Sequence, residues 1–261
     1  MASSAARWPH GGCTAVPGAH DDGARVPRGS ARRGLDGRGL PGARDSDVGL
    51  GAHLGAPLNM YLGAGLAEAG LPPRVVPVLN TAKGGATTAS YRAEGLWDAL
   101  LAASLPGDTV LLQFGHNDQK EPRTLASREG FSANLSRFIA DARGHGLVPI
   151  LLTSVERRRF DGDRPVPTHG DYPLATRDVA LREGIECFDL TSATRQLHAE
   201  LGPEESRRLF TQFAPGTHPL YPDGIADDTH YSFFGASVVA AMVAAMLAPV
   251  LLAQARAGSP A

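Results

Sequence analysis

The chain has 261 residues, 43% of them hydrophobic, with a formal charge of -2 and a pI near 6.5. That is enough apolar material for one sizeable domain core. The charge balance gives no basic surface of the kind that nucleic acid or an anionic membrane selects, so neither partner is expected.

The two cysteines, Cys13 and Cys187, can build neither a disulfide framework nor a zinc-ligand set. Cys187 lies in the apolar run IECF and reads as a buried thiol. In chain order, residues 1–48 stand apart. They are rich in Gly, Arg, Ala and Pro and show neither a strand period nor a helical stripe, so this block is expected to be disordered or aberrant. It also lacks an apolar stretch behind its arginines, so no secretory signal is expected and the default address is cytoplasmic.

Residues 49–261 read as a single α/β domain. Pro57 to Ala69 can form a helix carrying Leu58, Tyr61, Leu62 and Leu66, and Val75 to Leu79 a short strand ending at Asn80. A small-residue loop, TAKGGATTASY, leads to a helix over Glu94 to Leu105, stopped by Pro106-Gly107. The strand TVLLQF follows Asp108. Then come a helix over Phe131 to His145, the strand LVPILLTSV, a helix over Pro173 to Glu183, the strand IECFDL and a helix over Ala193 to Leu201. The alanine-rich run from Ser232 to Leu247 closes the chain as a soluble helix; it continues apolar to Ala255 but is broken by Pro249. Continuously apolar strands alternating with helices predict a mainly parallel sheet covered on both faces, a three-layer α/β/α sandwich of flavodoxin-like type. Reactive groups then belong in the loops past the carboxyl ends of the strands.

Three such segments carry chemistry. In YPDGIADDTHYS, Asp227 stands three residues before His230, in a loop expected to enter a helix. Its carboxylate can hold Nδ1 and leave Nε2 as a general base. Asp228 is the rival for that role. In GHND, Asn117 can donate to a developing oxyanion and Gly115 permits close approach, while Asp118 is suited to accept backbone N–H groups and His116 to fill the structure. In AKGGAT, a backbone N–H of Gly84 or Gly85 is an unshielded second donor. The nucleophile is open among Ser46, Ser90, Ser132, Ser154 and Ser232, and no GxSxG elbow is present. HxH, HExxH and CxxC patterns are absent, so no metal or organic cofactor is expected.

Several of these strings, in this order, resemble one family. VLNTAKGGATTASYRAEGLWDAL, GDTVLLQFGHNDQK, PILLTSVERRRFDG, THGDYP and YPDGIADDTHYSFFGA are similar to the SGNH (GDSL-like) hydrolases, and within them to the rhamnogalacturonan acetylesterase group of carbohydrate esterases, over about Gly49 to Ala248. The resemblance implies Gly85 and Asn117 as oxyanion donors, His230 as base, Asp227 as its orienting carboxylate and Ser46 as nucleophile. It implies a serine esterase that removes acetyl groups from a pectin-type glycan, with an acetylated oligosaccharide as partner. The family's glycine-aspartate-serine motif is met here only by Arg44-Asp45-Ser46, and Leu50 stands where the family has tryptophan. The change near residue 50 is what a shifted reading frame or an altered gene start would produce, and the first strand would then be lost. Two other readings remain: a catalytically impaired carbohydrate-binding remnant, and an esterase on non-sugar acyl esters. Arg157, Arg158 and Arg159 could face uronic-acid carboxylates or form a solvated turn, and Tyr231 could stack on a sugar. Trp97 reads as core.

Overall fold

The computed structural model describes residues 12–16 and 50–257. A five-stranded sheet in the order β2-β1-β3-β4-β7 forms its centre. The strands are β1 (Gly12–Val16), β2 (Leu79–Asn80), β3 (Thr109–Gln113), β4 (Val148–Leu152) and β7 (Cys187–Phe188). β3, β4 and β7 pair in parallel, with Leu111 opposite Ile150 and Leu152 opposite Phe188. β3 is buried along its whole length, which is why its sequence is apolar on both faces rather than alternating.

Within the block 1–48, the described residues are those of β1. It is a strand between β2 and β3, antiparallel to both neighbours. Its sequence, GCTAV, gives no period-2 signal. The slot between two strands with unmet backbone groups stabilises any extended segment through ladder bonds. Residues 1–11 and 17–49 lie outside the described residues.

Helices cover both faces. On one side α2 (Gly55–Glu68) and α8 (Phe233–Ala257) pack together, with Leu58, Leu62, Leu66, Val239, Val243, Leu247 and Leu251 in one cluster. α8 runs on through Pro249 and is longer than the expected Ser232 to Leu247 helix. By length and hydropathy it could cross a membrane, yet its apolar face packs into this cluster. On the other side, α3 (Thr88–Ala93), α4 (Leu96–Ala103), α5 (Ser132–Gly144) and α6 (Tyr172–Glu183) bury Tyr91, Trp97, Leu100, Leu135, Phe138 and Val179. Trp97 is core, as its helical spacing predicts, and its indole N–H donates to Asp141 Oδ2 at 3.0 Å. Cys187 is half-buried rather than buried, and desolvation pushes its thiol up to about 12.

Three local differences bear on the site. The expected loop TAKGGATTASY contains α3, started by a reciprocal cap in which Thr87 and Ser90 each accept the other's backbone N–H. The strand expected over Val75 to Leu79 shrinks to Leu79–Asn80. The segment expected as a loop before α8 is strand β9 (Ile225–Tyr231), paired antiparallel with β8 (Phe210–Phe213). β5 (Phe160–Asp161) and β6 (Arg164–Pro165) form a small hairpin beyond β4, and α7 (Leu190–Glu205) follows β7.

Candidate active site

β9 is where the acid and base are built. Its pairing with β8 is broken by a bulge: Phe210 faces Tyr231 and Gln212 faces Ala226, two steps along one strand against five along the other. The surplus residues, Asp227 to His230, therefore leave the ladder and fold on themselves. Asp227 Oδ1 accepts the backbone N–H of Thr229 at 2.7 Å and of His230 at 2.9 Å. Its Oδ2 takes a close hydrogen bond from His230 Nδ1. Burial pushes the Asp227 carboxyl up, but the bonds from the imidazole and the two N–H groups, with the imidazole's charge, hold it below the ordinary carboxylate value. The bond to Nδ1 makes Nε2 the basic nitrogen of a neutral ring.

Asp228 does not compete. Its carboxylate accepts from Arg158 Nη1 at 2.8 Å and Gln212 Nε2 at 2.9 Å. The Arg158 backbone N–H also donates to the Asp228 carbonyl at 2.9 Å. Arg157, next along the chain, donates to the His116 carbonyl at 3.3 Å and the Thr168 carbonyl at 3.1 Å. Consecutive arginines past β4 thus brace the DDTH bulge and the GHND turn. Arg157 and Arg158 thus bond to groups of the chain itself rather than forming a solvated turn or facing a uronic-acid carboxylate, and of the three only Arg159 is exposed. Tyr231 is buried and stacked on Phe210 at 4.8 Å between ring centres, so it cannot stack on a sugar.

The GHND turn leaves the carboxyl end of β3. Asp118 is fully buried and accepts from Thr88 N at 2.9 Å, Thr88 Oγ1 at 2.6 Å and Gly115 N at 3.1 Å. Desolvation nevertheless pushes its carboxyl up. Asp118 therefore ties the turn to the start of α3, as its position in the motif suggests. Gly115 has φ +120°, and a Cβ there would lie 2.8 Å from Ser154 Oγ, so the turn is closed to any larger residue. His116 is buried with its ring 4.2 Å from that of His169. The His169 ring bonds Glu156 Oε1 at 3.1 Å, a buried pair that sequence reasoning missed because the two residues lie in different loops.

Asn117 is buried, and its Nδ2 donates to the Ala86 carbonyl at 3.2 Å. The amide therefore lies against the Gly84-Gly85 turn, where Gly85 has φ +79° and open space at its Cβ position. The two segments read as oxyanion donors are adjacent.

Four of the candidate nucleophiles are committed elsewhere. The Ser90 hydroxyl caps α3, Ser132 donates to the Ser127 carbonyl, Ser154 to the Phe114 carbonyl and Ser232 to the Arg208 carbonyl. Ser46 lies outside the described residues. The chain that follows it is informative, though. α1 (Leu50–His53) brings His53 against Phe233, with ring centres 4.3 Å apart, and to Ser237 Oγ at 3.2 Å. Phe233 is three residues beyond His230.

A model of the GDSL-like lipase/acylhydrolase family matches residues 36–232. Rhamnogalacturonan acetylesterase RhgT of Bacillus subtilis (strain 168) is 46% identical over 170 residues, 65% of this chain and 73% of that protein. The probable rhamnogalacturonan acetylesterase YesY of the same organism is 30% identical over 66% of this chain and 76% of its own length. The crystal structure of protein YXIM from Bacillus subtilis superposes with a TM-score of 0.54 at 22% identity, covering 74% of this chain and 50% of that one, and shows the same fold. The chain belongs to the GDSL-like lipase/acylhydrolase family.

Proposed function

We propose that this chain is a serine esterase that removes acetyl groups from an acetylated, pectin-type glycan, with Ser46 as nucleophile, His230 as base and Asp227 as its orienting carboxylate. The observation that carries the reading is the Asp227–His230 bond on the β9 bulge, which selects the tautomer that acyl transfer needs. The glycan is inferred from the names of the two relatives, one of them 46% identical.

In the proposed reaction the Ser46 hydroxyl attacks the acetyl carbonyl while its proton passes to His230 Nε2. The Gly85 N–H, the Asn117 amide and the Ser46 N–H meet the oxyanion. The imidazolium, stabilised by Asp227, protonates the departing sugar alcohol. Water then attacks the acyl-enzyme with the same base and releases acetate.

The test is acetate release from acetylated rhamnogalacturonan fragments, with hydrolysis of p-nitrophenyl acetate beside it, by the parent and by Ser46→Ala. Loss of a triad nucleophile removes on the order of a thousandfold or more of turnover. A folded Ser46→Ala variant that keeps the parent's rate sinks the assignment of the nucleophile. A folded parent that binds the glycan but never releases acetate supports a binding remnant instead. Hydrolysis confined to longer acyl chains supports a non-sugar esterase.

A further inference from the structure

The parts of the site stand on two different sheets. The GHND turn leaves β3 of the five-stranded sheet, whereas Asp227 and His230 belong to the separate two-stranded ribbon of β8 and β9. Phe210 and Tyr231 bury one end of that ribbon in the cluster of α2 and α8. Apolar packing is non-directional, so it holds the ribbon down without aiming the bulge. Aim has to come from hydrogen bonds. Among the described residues, two side chains outside the bulge reach Asp227 and Asp228. Gln212, on β8 itself, donates to the Asp227 carbonyl at 3.2 Å and to Asp228 Oδ1 at 2.9 Å. The other is Arg158, which lies on the chain leaving β4 of the central sheet.

Arg158 bonds Asp228 twice, through its backbone N–H to the carbonyl and through Nη1 to the carboxylate. Its Nε donates to Ser206 Oγ at 3.1 Å and its Nη2 to the Pro203 carbonyl. The planar guanidinium therefore reaches three anchors, two in the segment that leads into β8 and one on the bulge. The side chain is only 10% exposed, and a buried fork held at three points leaves Asp228 little room to drift. Asp228 lies between Asp227 and Thr229, and the Asp227 carboxylate is oriented by the N–H groups of Thr229 and His230. Moving the Asp228 peptide would move both. We propose that Arg158 is a positioning residue for the proposed acyl transfer: acting through Asp228, it aims the Asp227–His230 pair of the ribbon at the GHND turn of the central sheet. This rests on the reading of His230 as the base. Arg157, the preceding residue, bonds the His116 carbonyl in that turn, so neighbouring residues of one backbone grip both halves of the site. Asp228 is then needed for its bond to Arg158 rather than for a proton.

The test uses the full chain as parent, Arg158→Met, Asp228→Ala, the two combined, and His230→Ala. kcat and KM for p-nitrophenyl acetate are measured at a temperature where circular dichroism shows each variant fully folded. Arg158→Met and Asp228→Ala are each expected to lower kcat about tenfold with KM unchanged, the scale of a small misplacement of a reacting group. Combined, they should cost no more than the larger single loss, because both cut the same tie. The Asp228 side chain is 45% exposed and can be removed without emptying the core, so Asp228→Ala carries the test if Arg158→Met does not fold. Labelling with ¹⁵N-histidine follows the His230 ring, identified by its loss in His230→Ala. At a pH where the ring is neutral, the parent should hold the proton on Nδ1, and both single variants should show a mixture of tautomers. A folded Asp228→Ala variant with the parent's kcat, beside a His230→Ala variant that has lost it, overturns the proposal alone. Single losses that multiply in the combined variant, or a loss carried by KM, overturn it equally. A His230→Ala variant at the parent's rate overturns the reading of the base beneath it. Where the parent does not turn over the ester, the ring decides: a His230 tautomer unchanged in Asp228→Ala overturns the proposal.

Discussion

β1 and β3 lie side by side in one sheet and use the same backbone ladder, yet they serve the site in opposite ways. β3 points its carboxyl end toward the Gly115-to-Asp118 turn, and β4 points its own toward the two bracing arginines. β1 runs the other way, with Val16 opposite Thr109 and Gly12 opposite Gln113. Val16 therefore lies at the amino ends of β3 and β4, away from Asn117. Ladder bonds reward an extended segment in either direction, whereas delivery of a loop to the catalytic edge depends on direction alone. In this molecule, Val16 lies at the edge of the sheet opposite the Asn117 turn.

The sharpest way to break that comparison is to attack the β1 ladder. Ala15 pairs with Leu79 on one side and Val110 on the other. A proline there removes a donor in a central strand, at about 3 kcal/mol or more. For a domain of this size the expected fall in melting temperature is about 6 to 12 °C. An Ala15→Pro variant that melts with the parent would show that β1 does not hold the slot.

The β3 side is tested through chemistry. Asn117→Ala is expected to lower turnover by roughly a hundredfold, close to 3 kcal/mol in the barrier, with an unchanged melting curve. Its side chain is held by Ala86 and Lys120 and belongs to neither apolar cluster, so the fold should tolerate its loss. Steady-state kinetics with p-nitrophenyl acetate on a sample of verified circular dichroism checks this. Near-parent turnover would mean that the carboxyl end of β3 is no more catalytic than that of β1.

The same contrast explains what could be read from the sequence. β3, β4 and their helices were legible because burial on both faces leaves a continuous apolar run bounded by turns, as in TVLLQF and LVPILLTSV. The site strings GHND and DDTH were legible because asparagine, aspartate and histidine follow apolar text closely enough to mark a strand end. β1 was not legible, because its pairing is made by backbone and leaves no pattern in GCTAV. β9 was misread as a loop because its ladder is interrupted at the residues that carry the chemistry. The roles of Arg157, Arg158 and Glu156 depend on partners ten to seventy residues away, which no local pattern encodes.

The smallest effect expected is also the one that separates folding from chemistry on the β9 bulge. The folded-state pKa of Asp227 is depressed, since its bonds to His230 and Thr229 outweigh the cost of burial. A depressed carboxyl stabilises the fold fully above its unfolded value, about 4, and that contribution is lost as pH falls through the folded value. Asp227→Asn has no such proton linkage. Its melting temperature should therefore lie below the parent's at neutral pH, with the gap closing below about pH 4. The side chain keeps some contact with solvent, so the gap should be modest. Turnover behaves differently. An asparagine amide donating to Nδ1 would force the tautomer with its proton on Nε2, removing the base at every pH where the enzyme is folded. A stability gap that closes in acid beside an activity loss that does not would assign Asp227 both tasks. A gap that stays constant into acid would mean that the Asp227–His230 bond is not made by an ionised carboxylate, and the bulge would then have no more claim to chemistry than the antiparallel strand β1.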